Sequence, residues 1–123
     1  MPKFDWRSIR LRKHADFQRV YQASRRYSSA SMTYFFRVRD ASEPAGPQPR
    51  IGFTTGRVLG GAVVRNRIRR RMREAVRLHA TELPQCTDVV LHPRKVVLEM
   101  NFALLEKEVS RVFAAIAAAG AKA

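Results

Sequence analysis

Ala62-Val63-Val64-Arg65-Asn66-Arg67-Ile68-Arg69-Arg70-Arg71-Met72-Arg73-Glu74-Ala75-Val76-Arg77 is the stretch on which the fold turns. Stepping about 100° per residue from Val64, the side chains of Ile68, Met72, Ala75, Val76, Leu78 and His79 gather on one arc. Asn66, Arg69, Arg70, Arg73 and Arg77 gather on the opposite arc. Arg71 falls inside the apolar arc, and helix periodicity does not explain it. Gly60 and Gly61 precede the run. The pattern predicts one long helix with an apolar stripe that must lie on a sheet or another helix.

The flanking segments supply that sheet. Residues 50–55 before the helix and 88–92 after it are rich in β-branched and apolar side chains and read as strands, the second one buried and stopped by Pro93. Upstream, residues 32–39 alternate. Met32, Tyr34, Phe36 and Val38 share one face, and Thr33, Phe35, Arg37 and Arg39 share the other. Residues 40–49, DASEPAGPQP, hold three prolines and a glycine that forbid regular structure, so strands 32–39 and 50–55 form a long-looped hairpin. A short helix over 16–23 puts Phe17, Val20 and Tyr21 on one face, with Asp16 as its N-cap. Asn101 caps a last helix whose core face carries Phe102, Leu105, Val109, Val112, Phe113 and Ile116. The order is α-β-β-α-β-α: an α+β sandwich, a small sheet with helices packed on it. One domain over 1–119 is expected, with residues 1–10 mobile and 120–123 a disordered tail.

Composition narrows the function. The chain has 123 residues, 46% of them hydrophobic, enough for one core. Its 24 basic and 10 acidic side chains give a net charge of +14. Residues 1–27 and 57–77, under half the chain, carry +13 of it, and 19 of the 24 basic residues are arginine. Arginine's rigid donor fork suits bidentate phosphate contact and stacking, so the charge reads as a polyanion-binding patch. The single cysteine, Cys86, rules out an intrachain disulfide and points to a reducing, cytoplasmic setting. The N-terminus has no apolar stretch of the signal-peptide kind. The longest apolar run, residues 112–119, falls far short of the roughly 20 residues that span a bilayer.

Side-chain catalysis finds no footing. His14, His79 and His92 are isolated and lack a metal-binding spacing, so no cofactor of the protein's own is expected. Residues 56–61 do not match a phosphate-binding glycine loop. Glu74, placed between Arg70 and Arg77, reads as a surface ion pair. Seven arginines in the thirteen residues 65–77 face that single glutamate, and their repulsion is relieved by an anionic partner. Phe17 and Tyr21 fit a helix-to-sheet core as well as a stacking surface. Phe35, interleaved with Arg37 and Arg39, has the pattern of a single-strand platform.

Together these residues resemble the protein subunit of bacterial ribonuclease P. The match runs through L11-R-K-H-A-D16-F17-Q-R-V20-Y21, R50-I-G-F-T-T-G-R57, A62-V-V-R65-N66-R67-I-R69-R70-R-M-R73-E74 and D88-V-V-L-H-P-R94. Three positions depart from the family pattern. Arg57 stands where a lysine pair is usual, Arg71 where an apolar residue is usual, and His92-Pro93 where small apolar residues are usual. The resemblance implies a left-handed βαβ crossover carrying the arginine-rich helix. It implies that the protein is the non-catalytic subunit of an endoribonuclease. A large RNA, with magnesium ions, removes the 5′ leader of precursor tRNA. It further implies that Arg57, Arg65, Asn66, Arg67, Arg69, Arg70 and Arg73 face the ribonuclease P RNA. Arg12, Lys13, Phe17, Tyr21, Arg37 and a first-strand aromatic, Tyr34 or Phe35, would line the leader cleft.

The alternative is a ribosomal or other structural RNA-binding protein of similar fold; the spaced arginine signature separates the two. A DNA-binding reading lacks a helix-turn-helix or dimerisation heptads. A membrane-surface helix lacks aromatic residues on its apolar face.

Overall fold

The computed structural model describes residues 6–121. In chain order these form α1 (Trp6–Ile9), α2 (His14–Ala23), β1 (Tyr27–Ser28), β2 (Met32–Val38), β3 (Arg50–Phe53), α3 (Ala62–His79), β4 (Thr87–Pro93) and α4 (Phe102–Ala121). Short 3-10 turns at Arg57–Leu59, Ala80–Glu82 and Lys95–Leu98 join them.

The four strands form one sheet in the order β1-β2-β4-β3. Strand β4 runs antiparallel to β2, with Tyr34 opposite Leu91, and parallel to β3, with Ile51 opposite Val89. The expected hairpin is therefore corrected: β2 and β3 do not pair, because β4 lies between them. The reason is visible in β4 itself, whose Val89, Val90 and Leu91 are all fully buried. A strand apolar on both faces is most stable at the centre, with both edges paired and both faces covered.

Helices α3 and α4 cover one face, burying Ile68, Met72, Ala75, Val76, Leu105, Val109, Phe113 and Ile116 against Met32, Tyr34, Ile51, Val89 and Leu91. Helix α2 covers the other, where Leu11, Val20 and Val90 form a smaller core flanked by half-buried Phe17, Tyr21 and Phe35. Asn101 caps α4 as expected, its Oδ1 accepting from the Ala103 N–H at 2.8 Å. Leu78, expected on the core side of α3, is exposed.

Three further expectations are revised. Helix α2 starts at His14 after Lys13, and Asp16 is a buried residue of its first turn rather than the cap. Residues 1–5 lie outside the described residues, but 6–11 are ordered along the edge of β3, with the Leu11 N–H bonded to the Ile51 carbonyl at 3.0 Å. The last helix continues to Ala121. Arg71 sits on the core side of α3 because its Nε donates to the Val97 carbonyl at 2.8 Å, a second guanidinium N–H reaches the Met100 carbonyl, and the cation lies over the Phe102 ring. It stitches α3 to the start of α4.

The polar interior centres on Asp88, which is fully buried. Its Oδ1 accepts from Arg39 at 2.5 Å and from Arg50 Nε at 2.8 Å, and its Oδ2 accepts from Arg50 Nη2 at 2.8 Å. Arg37 lies 3.8 Å away and bonds Glu43 at 2.5 Å. Arg50 also reaches Asp16 of α2 at 3.4 Å. Arg39 donates in addition to the carbonyls of Gly46 and Gln48, pinning the proline-rich loop.

Removing one partner of a buried ion pair leaves uncompensated charge and costs about 3–5 kcal/mol. Asp88→Asn is expected to lose stability of that order in denaturant titration, and a loss under ~1 kcal/mol would contradict the network's role. A second prediction concerns pH. His79 bonds Glu82 and, at 3.1 Å, Glu106. Burial opposes its charge, but the two glutamates outweigh it and raise the pKa above 6.5. Stability from this bridge is thus complete below about pH 6.5 and lost as pH rises through the folded value. In melts across that range the wild type should lose stability that His79→Gln never had; parallel curves would refute the bridge.

Candidate nucleic-acid interface

Two surfaces of opposite chemistry adjoin one groove. The first is the outer side of α3. Asn66, Arg67, Arg70 and Arg73 are exposed, while Arg65 and Arg69 are half-buried. Arg69 donates to Asn66 Oδ1 at 2.9 Å, which fixes its guanidinium along the helix. Among the described residues no carboxylate pairs with Arg65, Arg67, Arg69, Arg70 or Arg73; Glu74 is engaged with Arg77 at 2.5 Å. Arg57 is exposed in the turn that precedes the helix. The like charges persist because packing of the opposite face, not local pairing, holds α3 in place.

The second surface is aromatic. Phe17 and Tyr21, one helical turn apart on α2, stand beside Phe35 of β2, and Tyr21 meets Phe35 edge to face at 5.0 Å between centroids. The first-strand aromatic here is Phe35. Tyr34 is corrected: strand alternation turns it to the opposite face, where it is buried in the α3–α4 core and stacks on Tyr27 at 5.3 Å. Burial first, and Tyr27 second, raise its pKa above 10.0. Arg37 lies on the expected face, but its charge is answered by Glu43 and Asp88. Arg12 and Lys13 are exposed ahead of α2.

The Phe17 ring packs against Gly52, where an added Cβ would come within 2.5 Å of Cζ and 2.8 Å of Cε1. A side chain at that position would push the ring out. Between the two surfaces runs a cavity of about 670 Å³, lined by Trp6, Arg10, Arg12, Phe17, Phe53, Asn66, Arg69 and Arg73 among others. It joins residues expected in two separate sites, and none of its lining residues is acidic. Trp6 and Phe53, in edge-to-face contact at 5.5 Å, were not foreseen as part of it. His92 and Thr54 were likewise missed. Both bond the Tyr21 hydroxyl, at 2.8 and 3.3 Å. Spacing gave no signal for these contacts, which exist only once β3 and β4 lie under α2.

The arrangement offers cations for phosphates and rings for bases. Among the described residues no group of three or more His, Cys, Asp or Glu side chains is gathered to hold a metal ion, and no helix is long and apolar enough to cross a membrane.

A family model described as Ribonuclease P matches residues 6–117. The chain is 39% identical over 117 residues to the ribonuclease P protein component of Gluconacetobacter diazotrophicus, covering 94% of this chain and 97% of that protein. It is 38% identical over 110 residues to the same component of Brucella suis, covering 84% and 76%. Its fold is similar to that of the RNase P protein from Thermotoga maritima, with a TM-score of 0.71 at 23% identity over 85% of this chain and 94% of that one.

If the α3 cations contact about five phosphates, affinity for structured RNA should fall with salt at a log–log slope of about −4.5, at roughly −0.9 per phosphate. Replacing Arg69, Arg70 and Arg73 together with alanine should flatten the slope by about 2–3 units. An unchanged slope would make the helix face a merely solvated one.

Proposed function

Since the chain belongs to the ribonuclease P protein family, we propose that it is the non-catalytic protein subunit of that ribonucleoprotein, docking on its RNA and holding the 5′ leader of precursor tRNA. The observation that carries this reading is the groove without an acidic residue, where the unpaired α3 arginines meet Phe17. Arg57, Arg65, Asn66, Arg67, Arg69, Arg70 and Arg73 take the ribonuclease P RNA through phosphates. Phe17, Tyr21 and Phe35, with Arg12 and Lys13 at the rim, take the single-stranded leader by stacking. Among the described residues no group of three or more His, Cys, Asp or Glu side chains gathers to hold a metal ion, which supports leaving cleavage to the RNA and the magnesium ions it binds, with the protein positioning and retaining substrate. That no helix among the described residues is long and apolar enough to cross a membrane is compatible with work in the cytoplasm. The alternative of a structural RNA-binding protein has no observation in its favour.

Reconstitution tests this. The protein with precursor tRNA and magnesium should cleave nothing, and adding ribonuclease P RNA should give the mature 5′ end at lower magnesium than the RNA alone requires. Stacking of a base on an aromatic is worth about 1–3 kcal/mol. Phe17→Ala should accordingly weaken holoenzyme binding of precursor tRNA by about 5- to 150-fold and leave mature tRNA unaffected. Equal weakening of both substrates, with a melt lowered by many degrees, would return Phe17 to the core and empty the cleft. Specific cleavage by RNA-free protein would overturn the assignment of catalysis.

A further inference from the structure

Three rings close on one another under α2. Tyr21 and Phe35 are 5.0 Å apart between centroids, Tyr21 and His92 5.7 Å, and Phe35 and His92 5.2 Å. The Tyr21 hydroxyl lies 2.8 Å from His92 Nε2 and 3.3 Å from Thr54 Oγ1. A phenol is a stronger acid than a neutral imidazole N–H, so Tyr21 donates across the shorter contact and Nε2 accepts. The ring hydrogen is then on Nδ1. Among the described residues that nitrogen has no hydrogen-bond partner, and it is not fully buried.

The surroundings keep His92 neutral. Burial first, and the positive charge of Arg26 second, lower its pKa below 6.5. The groups around it are Phe35 and Thr33 of β2, Thr54 just after β3 and Tyr21 of α2, none of them charged at neutral pH, and Arg26, between α2 and β1, adds one positive charge nearby. A neutral donor among ring faces is a poor ligand for phosphate and a good one for an unpaired base, whose faces stack and whose edges accept hydrogen bonds. The arginines of α3 grip any sequence; a single fixed donor does not.

We propose that His92 is a specificity-determining residue of the leader cleft, donating from Nδ1 to a ring nitrogen or carbonyl of a base stacked beside Tyr21 and Phe35. Tyr21 is its positioning residue, holding the imidazole through Nε2. The proposal rests on the reading of this face as the leader site.

The test uses holoenzyme reconstituted from the full chain and ribonuclease P RNA. Precursor tRNAs carry each of the four bases in turn at each leader position, and mature tRNA serves as the leaderless control. The wild type should show a spread of about five- to tenfold among bases at one position, the discrimination one hydrogen bond supplies. His92→Ala and His92→Phe should both shrink that spread below about twofold and leave mature tRNA binding unchanged. The phenylalanine variant retains a ring, so its loss of selectivity without loss of stacking isolates the donor. Tyr21→Phe should narrow the spread less than either. A spread retained in both His92 variants, or a loss equal for all four bases, overturns the proposal alone. A wild type that binds precursor and mature tRNA equally overturns the leader reading beneath it.

Discussion

The α2 face of the sheet is organised around the carboxylate of Asp88. It sits on the central strand, opposite Arg37 of β2 and Arg50 of β3 in register, with Arg39 closing on it from the end of β2. Desolvation largely cancels the attraction in such a buried cluster, so its net gain over an apolar packing is small. What it provides is placement. Arg50 extends the cluster to Asp16, and Asp16 is in the first turn of α2. The helix that carries Phe17 and Tyr21 is thereby tied to the strands that carry Phe35 and Gly52. The same cluster answers the charges of Arg37, Arg39 and Arg50 with Asp88, Glu43 and Asp16. The field that reaches an RNA comes from other arginines.

Those other arginines lie on elements that need no ionic help to fold. Helix α3 is held by its buried stripe, and its outer face is left to repulsion that an RNA relieves. The aromatic surface is supported from below by Leu11, Val20 and Val90. Cation–phosphate contact is long-ranged and salt-sensitive, whereas stacking is short-ranged and much less so. One small domain thus carries a cationic and an aromatic surface along a single groove.

Much of this was legible in the sequence, unevenly. Helices α3 and α4 and the Asn101 cap follow from periodicity and a local side-chain bond, both written within a few neighbouring residues. The role of Arg71 was flagged as an anomaly by the same periodicity and explained only by carbonyls some 26 and 29 positions away. The expected hairpin does not form because adjacency in sequence is not adjacency in space, and β4, whose Val89, Val90 and Leu91 are buried, takes the centre. Choosing between Tyr34 and Phe35 required knowing which face α2 covers. Asp88 read as the first residue of a strand; its burial depends on three arginines arriving from β2 and β3. The arginine signature pointed to the interface, but Trp6, Phe53, Thr54 and His92 joined it through tertiary contact alone.

The ring of Phe17 rests where Gly52 offers no side chain. The backbone there is ordinary extended strand, so alanine is conformationally admissible, and what opposes it is the Phe17 ring together with Leu11 Cβ at 3.2 Å. Position 52 therefore acts on the Phe17 ring through contact alone, with no charged group among its nearest neighbours.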